Sequence, residues 1–282
     1  DLTRFLLWFE DMNGTLDARE WLPRDTNAFL TSLEERGLAP ATINRMLATL
    51  RRWTRWAMEN GNVYFPTNPT TGIKERVVEE PTAKKLSSRE VGRLFKAADK
   101  LVITCNRSNA RPRRDRAVLA VAYYTGLRVI EICSLTMDQY DGSHLNAVIR
   151  KGWRRTSHIY VPKKCRDPLD EYLKYERGEE KYQTGDEKKS SPPIFLSATG
   201  KKLTRSTVWR IIQRIAREAS AHLDEPMVIH PHQLRHTFGY EVRARTGSDT
   251  ETAALLGHSG LKHVGRYVRA TDEEREKVLD EL

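Results

Sequence analysis

Cysteine is scarce: three among 282 residues, Cys105, Cys133 and Cys165, far apart and odd in number. That excludes a disulfide framework and a zinc ribbon, which need paired thiols, and it points to the reducing cytoplasm. Long apolar runs are missing as well. None approaches the ~18 residues that a membrane span requires. The chain does not open like a secretory signal, because Asp1, Arg4, Glu10 and Asp11 interrupt its first apolar residues. No internal repeat or low-complexity tract is visible. Acidic side chains are the minority, 38 against 48 Lys and Arg, which leaves a net charge of +10. Such an excess suits a polyanionic partner. The length allows one or two domains with sizeable cores.

The first 74 residues are expected to be helical. Leu2, Phe5, Leu6 and Phe9 recur at helical spacing, and so do Ala28, Leu30 and Leu33 around Phe29. After the Gly37 to Pro40 break, Ile43, Met46, Leu47, Leu50, Trp53 and Ala57 make one apolar stripe. Arg45, Arg51, Arg52 and Arg55 fall mostly off that stripe, as a solvated face or as a face against DNA phosphates. Residues 75–85 lack any period and are rich in charge, the pattern of an interdomain linker. Ser87 with Glu90 then forms a capping box for a helix through Val91, Leu94, Phe95 and Ala98. Residues 117–124 are apolar nearly all round and predict a buried core helix, ended by Gly126. Two short strands are expected at 147–150 and 157–161, joined by the basic loop 151–156. Residues 176–192 are expected to be an exposed loop. Val208, Ile211, Ile212, Ile215 and Ala219 mark a further amphipathic helix.

Three blocks carry the chemistry. Thr125-Gly126-Leu127-Arg128-Val129-Ile130-Glu131 comes first, His232-Gln233-Leu234-Arg235-His236 second, and Leu256-Gly257-His258 third, with Tyr267 nine residues beyond. An Arg can grip two phosphate oxygens at once and stays charged. His232 and Arg235, three apart, share one helix face. His232 and His236 have the i, i+4 spacing of a zinc pair. However, the metalloprotease Glu is absent between them and Arg235 would repel a cation, so no metal and no cofactor are expected. Alone, Tyr267 could simply pack with Val264 and Val268, and Arg128 could simply pair with Glu131.

In this order and in a basic chain, the blocks resemble the tyrosine recombinase (phage integrase) family, whose members cut and rejoin DNA through a phosphotyrosine. The resemblance implies a mainly α architecture. It has an N-terminal helical core-binding domain (1–74), a linker (75–85), and a mixed α/β catalytic domain (86–282) with a small antiparallel sheet. Together these form a C-shaped clamp on DNA. It implies Tyr267 as nucleophile, Arg128 and Arg235 as phosphate clamps, His232 as base and His258 as a contact to the scissile phosphate. It also implies Lys151, in the strand-connecting loop, as acid for the leaving oxygen. Glu131 would orient Arg128 or the neighbouring helix, and His236 would be structural. Arg154 and Arg155 lie beside Lys151 as further DNA contacts. The chain opens at Asp1 without a further arm-binding domain, which fits a simple recombinase or a trimmed chain.

The implied activity is site-specific strand breaking and rejoining on double-stranded DNA, for integration, excision or resolution. A homotetramer would hold two paired sites, and the acidic tail 272–282 would dock on a neighbouring protomer. A type IB topoisomerase-like relaxase shares the chemistry but acts alone. A DNA-binding regulator that has lost catalysis is opposed by the intact set of six residues.

Overall fold

Periodic apolar residues at helical spacing make helices the main element of this chain. The computed structural model describes residues 1–61, 65–78, 85–105, 110–149, 155–177 and 191–257, with 155–157 by backbone alone. The chain divides into two units, Asp1–Pro81 and Thr82–Leu282.

The first unit contains α1 (Leu2–Asn13), α2 (Pro23–Glu35) and α3 (Pro40–Glu59). Its core joins Phe5 and Phe9 of α1, Phe29, Leu30 and Leu33 of α2, and Ile43, Met46, Leu47 and Leu50 of α3. Ala28, expected on the buried stripe, is exposed instead. Phe29 takes its place, since a helical stripe is only a few residues wide and the larger ring buries more apolar area. Trp21, between α1 and α2, fills the centre with its ring 4.4 Å from Phe5 and 5.7 Å from Trp53. Its indole N–H is not stranded by burial: it donates to Thr26 Oγ1 at 2.8 Å, and Thr26 donates on to the Pro69 carbonyl at 2.6 Å.

The second unit contains α4 (Ser88–Thr104), α5 (Pro112–Tyr124), α6 (Val129–Ser134), β1 (His144–Ile149) and β2 (Arg155–Tyr160). These are followed by α7 (Lys163–Tyr172), α8 (Arg205–Ala219), α9 (Pro231–Thr246) and α10 (Asp249–Leu256). The expected cap on α4 is present: Ser87 Oγ accepts from the Glu90 amide, and Glu90 accepts from the Ser87 amide at 2.7 Å. Ala117 through Ala122 of α5 are buried on every side. Helices α4, α7, α8 and α9 pack around α5 and account for that all-round burial. The antiparallel sheet pairs His144 with Tyr160 and Ile149 with Arg155. Both strands therefore start earlier than expected. Cross-strand pairing extends them past the apolar stretch, and Arg155 belongs to β2 rather than to the loop.

Helix α7 is not visible as a pattern, because Pro168 lies inside it and charges surround its buried stripe of Cys165, Leu169 and Tyr172. Of the loop expected at 176–192, residues 178–190 lie outside the described residues, and at its start the chain is still helical through Arg177. Arg177 is buried and donates to the carbonyls of Pro193 and Ile194, and Thr136 forms a β-bridge with Pro193. Among the described residues, no helix is long and apolar enough to cross a membrane.

Candidate active site

Helix α5 ends at Tyr124, and the chain turns at Gly126 with a left-handed φ of 59°. That turn delivers Arg128 to the N-cap of α6. Glu131, one turn into α6, reaches back with both oxygens. Oε2 accepts from the Arg128 amide at 2.8 Å and Oε1 accepts from Arg128 Nη1 at 2.9 Å. The carboxylate is almost fully buried, whereas the Arg128 side chain keeps 26 % of its surface exposed. One guanidinium edge is thereby fixed while the rest faces outward.

Arg235 arrives from α9, more than a hundred residues later. It is only 2 % exposed. Its Nη1 donates to the Gly126 carbonyl, and its Nη2 donates to the Leu256 carbonyl at 2.6 Å. Nη1 also stands 3.9 Å from Glu131 Oε2. Glu131 therefore lies between the two guanidinium groups. Without it, their mutual repulsion in a partly buried setting would oppose the fold. With it, the trio retains one net positive charge, suited to an anion. The Leu256 carbonyl belongs to the last residue of α10, before the left-handed Gly257. A cation at a helix C-terminus is favoured by the helix dipole. Arg235 thus ties all three sequence blocks together.

His232 is exposed one turn before His236, which is half-buried, and their rings meet edge to face with centroids 4.4 Å apart. His230 lies just ahead of α9, its amide donating to Gln233 at 2.7 Å. Lys151, Arg154, His258 and Tyr267 lie outside the described residues, and so does the side chain of Arg155. Among the described residues, no three His, Cys, Asp or Glu side chains group as metal ligands. Burial raises the Cys133 and Cys165 thiols above their ordinary range, which leaves both poor nucleophiles.

The four arginines of α3 differ in what they touch. Arg45 pairs with Asp1 at 2.6 Å. Arg51 binds Glu75 at 2.9 Å and the Ile73 carbonyl at 2.5 Å. Arg52 and Arg55 are exposed.

Three features escaped the sequence reading. One is the use of the Gly126 and Leu256 carbonyls as acceptors for Arg235, which no side-chain pattern encodes. Another is the outward face of α8: Arg210 and Arg214, with Arg114, Ser197, Thr199 and Thr207, line a hollow of about 580 Å³. The i, i+4, i+7 spacing of Arg210, Arg214 and Arg217 was the available signal. The third is a cavity of about 740 Å³ between α4, the end of α5, the start of α7 and α9. Phe95, Tyr124 and Phe238 contribute to its apolar walls, and Lys163, Lys164 and Arg245 also line it. Nearby, the Tyr123 hydroxyl donates to Glu241 at 2.5 Å and joins α5 to α9. Burial and that carboxylate push the Tyr123 phenol well above its ordinary pKa, so it stays a proton donor.

Comparison with known proteins identifies the family and the fold. The phage integrase family profile matches residues 84–274, and the profile of the phage integrase N-terminal SAM-like domain matches residues 1–61. The chain belongs to the phage integrase family. It is 27 % identical to tyrosine recombinase XerC of Bacillus subtilis (strain 168), over 89 % of this chain and 77 % of that protein. It is 29 % identical to tyrosine recombinase XerC of Oceanobacillus iheyensis, over 91 % of this chain and 79 % of that one. The fold is similar to that of XerH site-specific recombinase bound to palindromic difH substrate in a post-cleavage complex. That likeness has a TM-score of 0.73 at 19 % identity, covering 98 % of this chain and 77 % of the other.

Proposed function

We propose that the protein is a site-specific recombinase that breaks and rejoins DNA strands through a 3′-phosphotyrosine at Tyr267. The observation that carries this reading is the joining of Arg128 and Arg235 through one buried carboxylate, in a chain of this family. In the proposed reaction the Tyr267 oxygen attacks the scissile phosphorus, and the phenolic proton passes to His232. The bond to the 5′ oxygen breaks, and that oxygen takes a proton from Lys151. Arg128, Arg235 and His258 stabilise the charge that grows on the nonbridging oxygens. A phenolate leaves more readily than an alkoxide. The phosphotyrosine therefore conserves the bond energy, and the 5′ hydroxyl of a second strand can displace Tyr267 without ATP.

In this reading residues 1–74 supply core DNA contacts, 75–85 link, and 86–282 carry the chemistry, inside the cytoplasm. Exposed Arg52 and Arg55 are the more available phosphate contacts of α3, and Arg154, Arg155 and the α8 arginines add to them. Four protomers hold two paired sites. The tail 272–282 has six acidic residues against two basic ones, with Val278, Leu279 and Leu282 as its apolar edge. It suits the cavity lined by Phe95, Tyr124, Lys163, Lys164 and Arg245 in a neighbouring protomer.

The test is trapping on a nicked suicide duplex, followed by mapping of the linked residue. The unaltered chain should become covalently attached at a 3′ phosphate through Tyr267. Tyr267→Phe should bind DNA and form no adduct. An adduct at unaltered yield in Tyr267→Phe would refute the assignment. Covalent attachment abolished by EDTA and restored by Mg²⁺ would refute the metal-free mechanism.

A further inference from the structure

Gly126 has no room for a Cβ unless the Phe238 ring shifts. A Cβ built on it would lie 2.4 Å and 2.7 Å from two ring carbons of Phe238, and 3.2 Å from Leu256 Cδ2. Real Cβ atoms do not approach that closely, so the Phe238 ring rests directly on the Gly126 backbone. Phe238 follows Arg235 by three residues on α9 and shares its face. It also packs with Ala253 and Leu256 of α10. One ring therefore touches the same two segments, Gly126 and Leu256, whose carbonyls accept from Arg235. The hydrogen bonds set direction but not depth: a guanidinium can follow a carbonyl that shifts. A rigid ring wedged against both segments sets the depth.

We infer that Phe238 is a positioning residue for strand cleavage: it seats the Gly126 turn and the end of α10 on Arg235, and so fixes Arg128 relative to Arg235. This rests on the recombinase reading above. Phe238 does not touch the DNA in this role. It acts through the two arginines, where a misplacement of about 1 Å can cost about 100-fold in rate.

The experiment uses the full chain and a double-mutant cycle between Gly126→Ala and Phe238→Leu, with Phe238→Ala as a third variant. Three quantities are measured: affinity for a single-site duplex, the rate of covalent complex formation at saturating DNA, and NMR-detected exchange of the Arg235 guanidinium protons. Phe238→Ala should slow the covalent step by about tenfold or more, change affinity less than about threefold, and speed guanidinium exchange. Gly126→Ala should be slower still, because the methyl group strikes the ring. Adding Phe238→Leu to Gly126→Ala should recover about fivefold or more, since a smaller side chain makes room. That recovery needs no stable Phe238→Ala protein.

Strictly additive losses in the cycle would overturn the inference. So would an affinity loss equal to the rate loss, or an unchanged guanidinium exchange in Phe238→Ala. If the unaltered chain forms no covalent complex, the recombinase reading fails, and the exchange measurement alone still decides whether Phe238 holds Arg235 in place.

Discussion

Arg128 and Arg235 share an anion in the proposed mechanism, yet they differ in what else they do. Arg128 is partly exposed and its protein partner is Glu131. Arg235 is buried and satisfies two main-chain carbonyls. Removing Arg235 strands those carbonyls, at about 1–3 kcal/mol each, and leaves Glu131 short of one cation. Arg128→Ala and Arg235→Ala should both slow covalent complex formation by about 10³-fold. Both variants deprive Glu131 of a cation, but Arg235→Ala also strands two carbonyls and should lower the unfolding free energy by about 2 kcal/mol or more beyond Arg128→Ala in chemical denaturation. Equal stability of the two variants would contradict the buried linking role. Arg235→Lys should behave like Arg235→Ala in cleavage, because one ammonium cannot span two carbonyls in different segments. At Lys151 the expectation is purely chemical. Lys151→Ala should be slow on ordinary DNA and rescued by sulfur at the 5′ bridging position, since a thiolate leaves without an acid. Rescue no better than that of Arg128→Ala would remove Lys151 from the acid role.

Elements were legible where local chemistry declares itself. Ser87 and Glu90 announced the start of α4, and the hydrogen bonds confirm both halves of that box. Ser87→Ala should cost about 1 kcal/mol of stability, measured as a shift in the denaturation midpoint, with little effect on cleavage. Helix α7 was illegible because its interior proline and surrounding charges hide a stripe that only tertiary burial reveals. Both strands extend beyond their apolar residues because strand ends follow cross-strand hydrogen bonds, not hydropathy. The Gly126 turn lies between these cases. Its position after a core helix was visible, and its left-handed φ fits a glycine. The Phe238 ring above it was not visible. Gly126→Ala should cost about 1–3 kcal/mol in denaturation, more than the strain of a left-handed alanine alone.

At the scale of the whole molecule, family membership and the paired arginines point to one reaction, while assembly depends on surfaces. The cavity beside α4 and α9 has apolar walls and three cations in its lining, and the tail carries the opposite charge. Deleting residues 272–282 should leave single-site binding nearly intact while impairing the paired-site complex and recombination. Lys163→Glu combined with Lys164→Glu should reproduce that defect in an otherwise full chain. Gel-shift assays separate the two complexes. Normal recombination by the truncated chain would show that the tail does not couple protomers. A relaxase acting alone would relax supercoiled DNA without any paired-site complex.

The sequence by itself determined the helical character of the first unit and the buried core helix α5. It also determined the three blocks and their order, because periodicity, capping and motif spacing are local properties of the chain. The excess of basic residues pointed to a polyanion for the same reason. It could not show that Glu131 stands between two arginines, since Arg128 and Arg235 are far apart in the chain and meet only when α9 packs on α5. Nor could it show that Arg235 is held by the Gly126 and Leu256 carbonyls, because every residue but proline offers the same backbone donor and acceptor. Tertiary packing alone decided which carbonyls face that guanidinium, and which ring lies on Gly126.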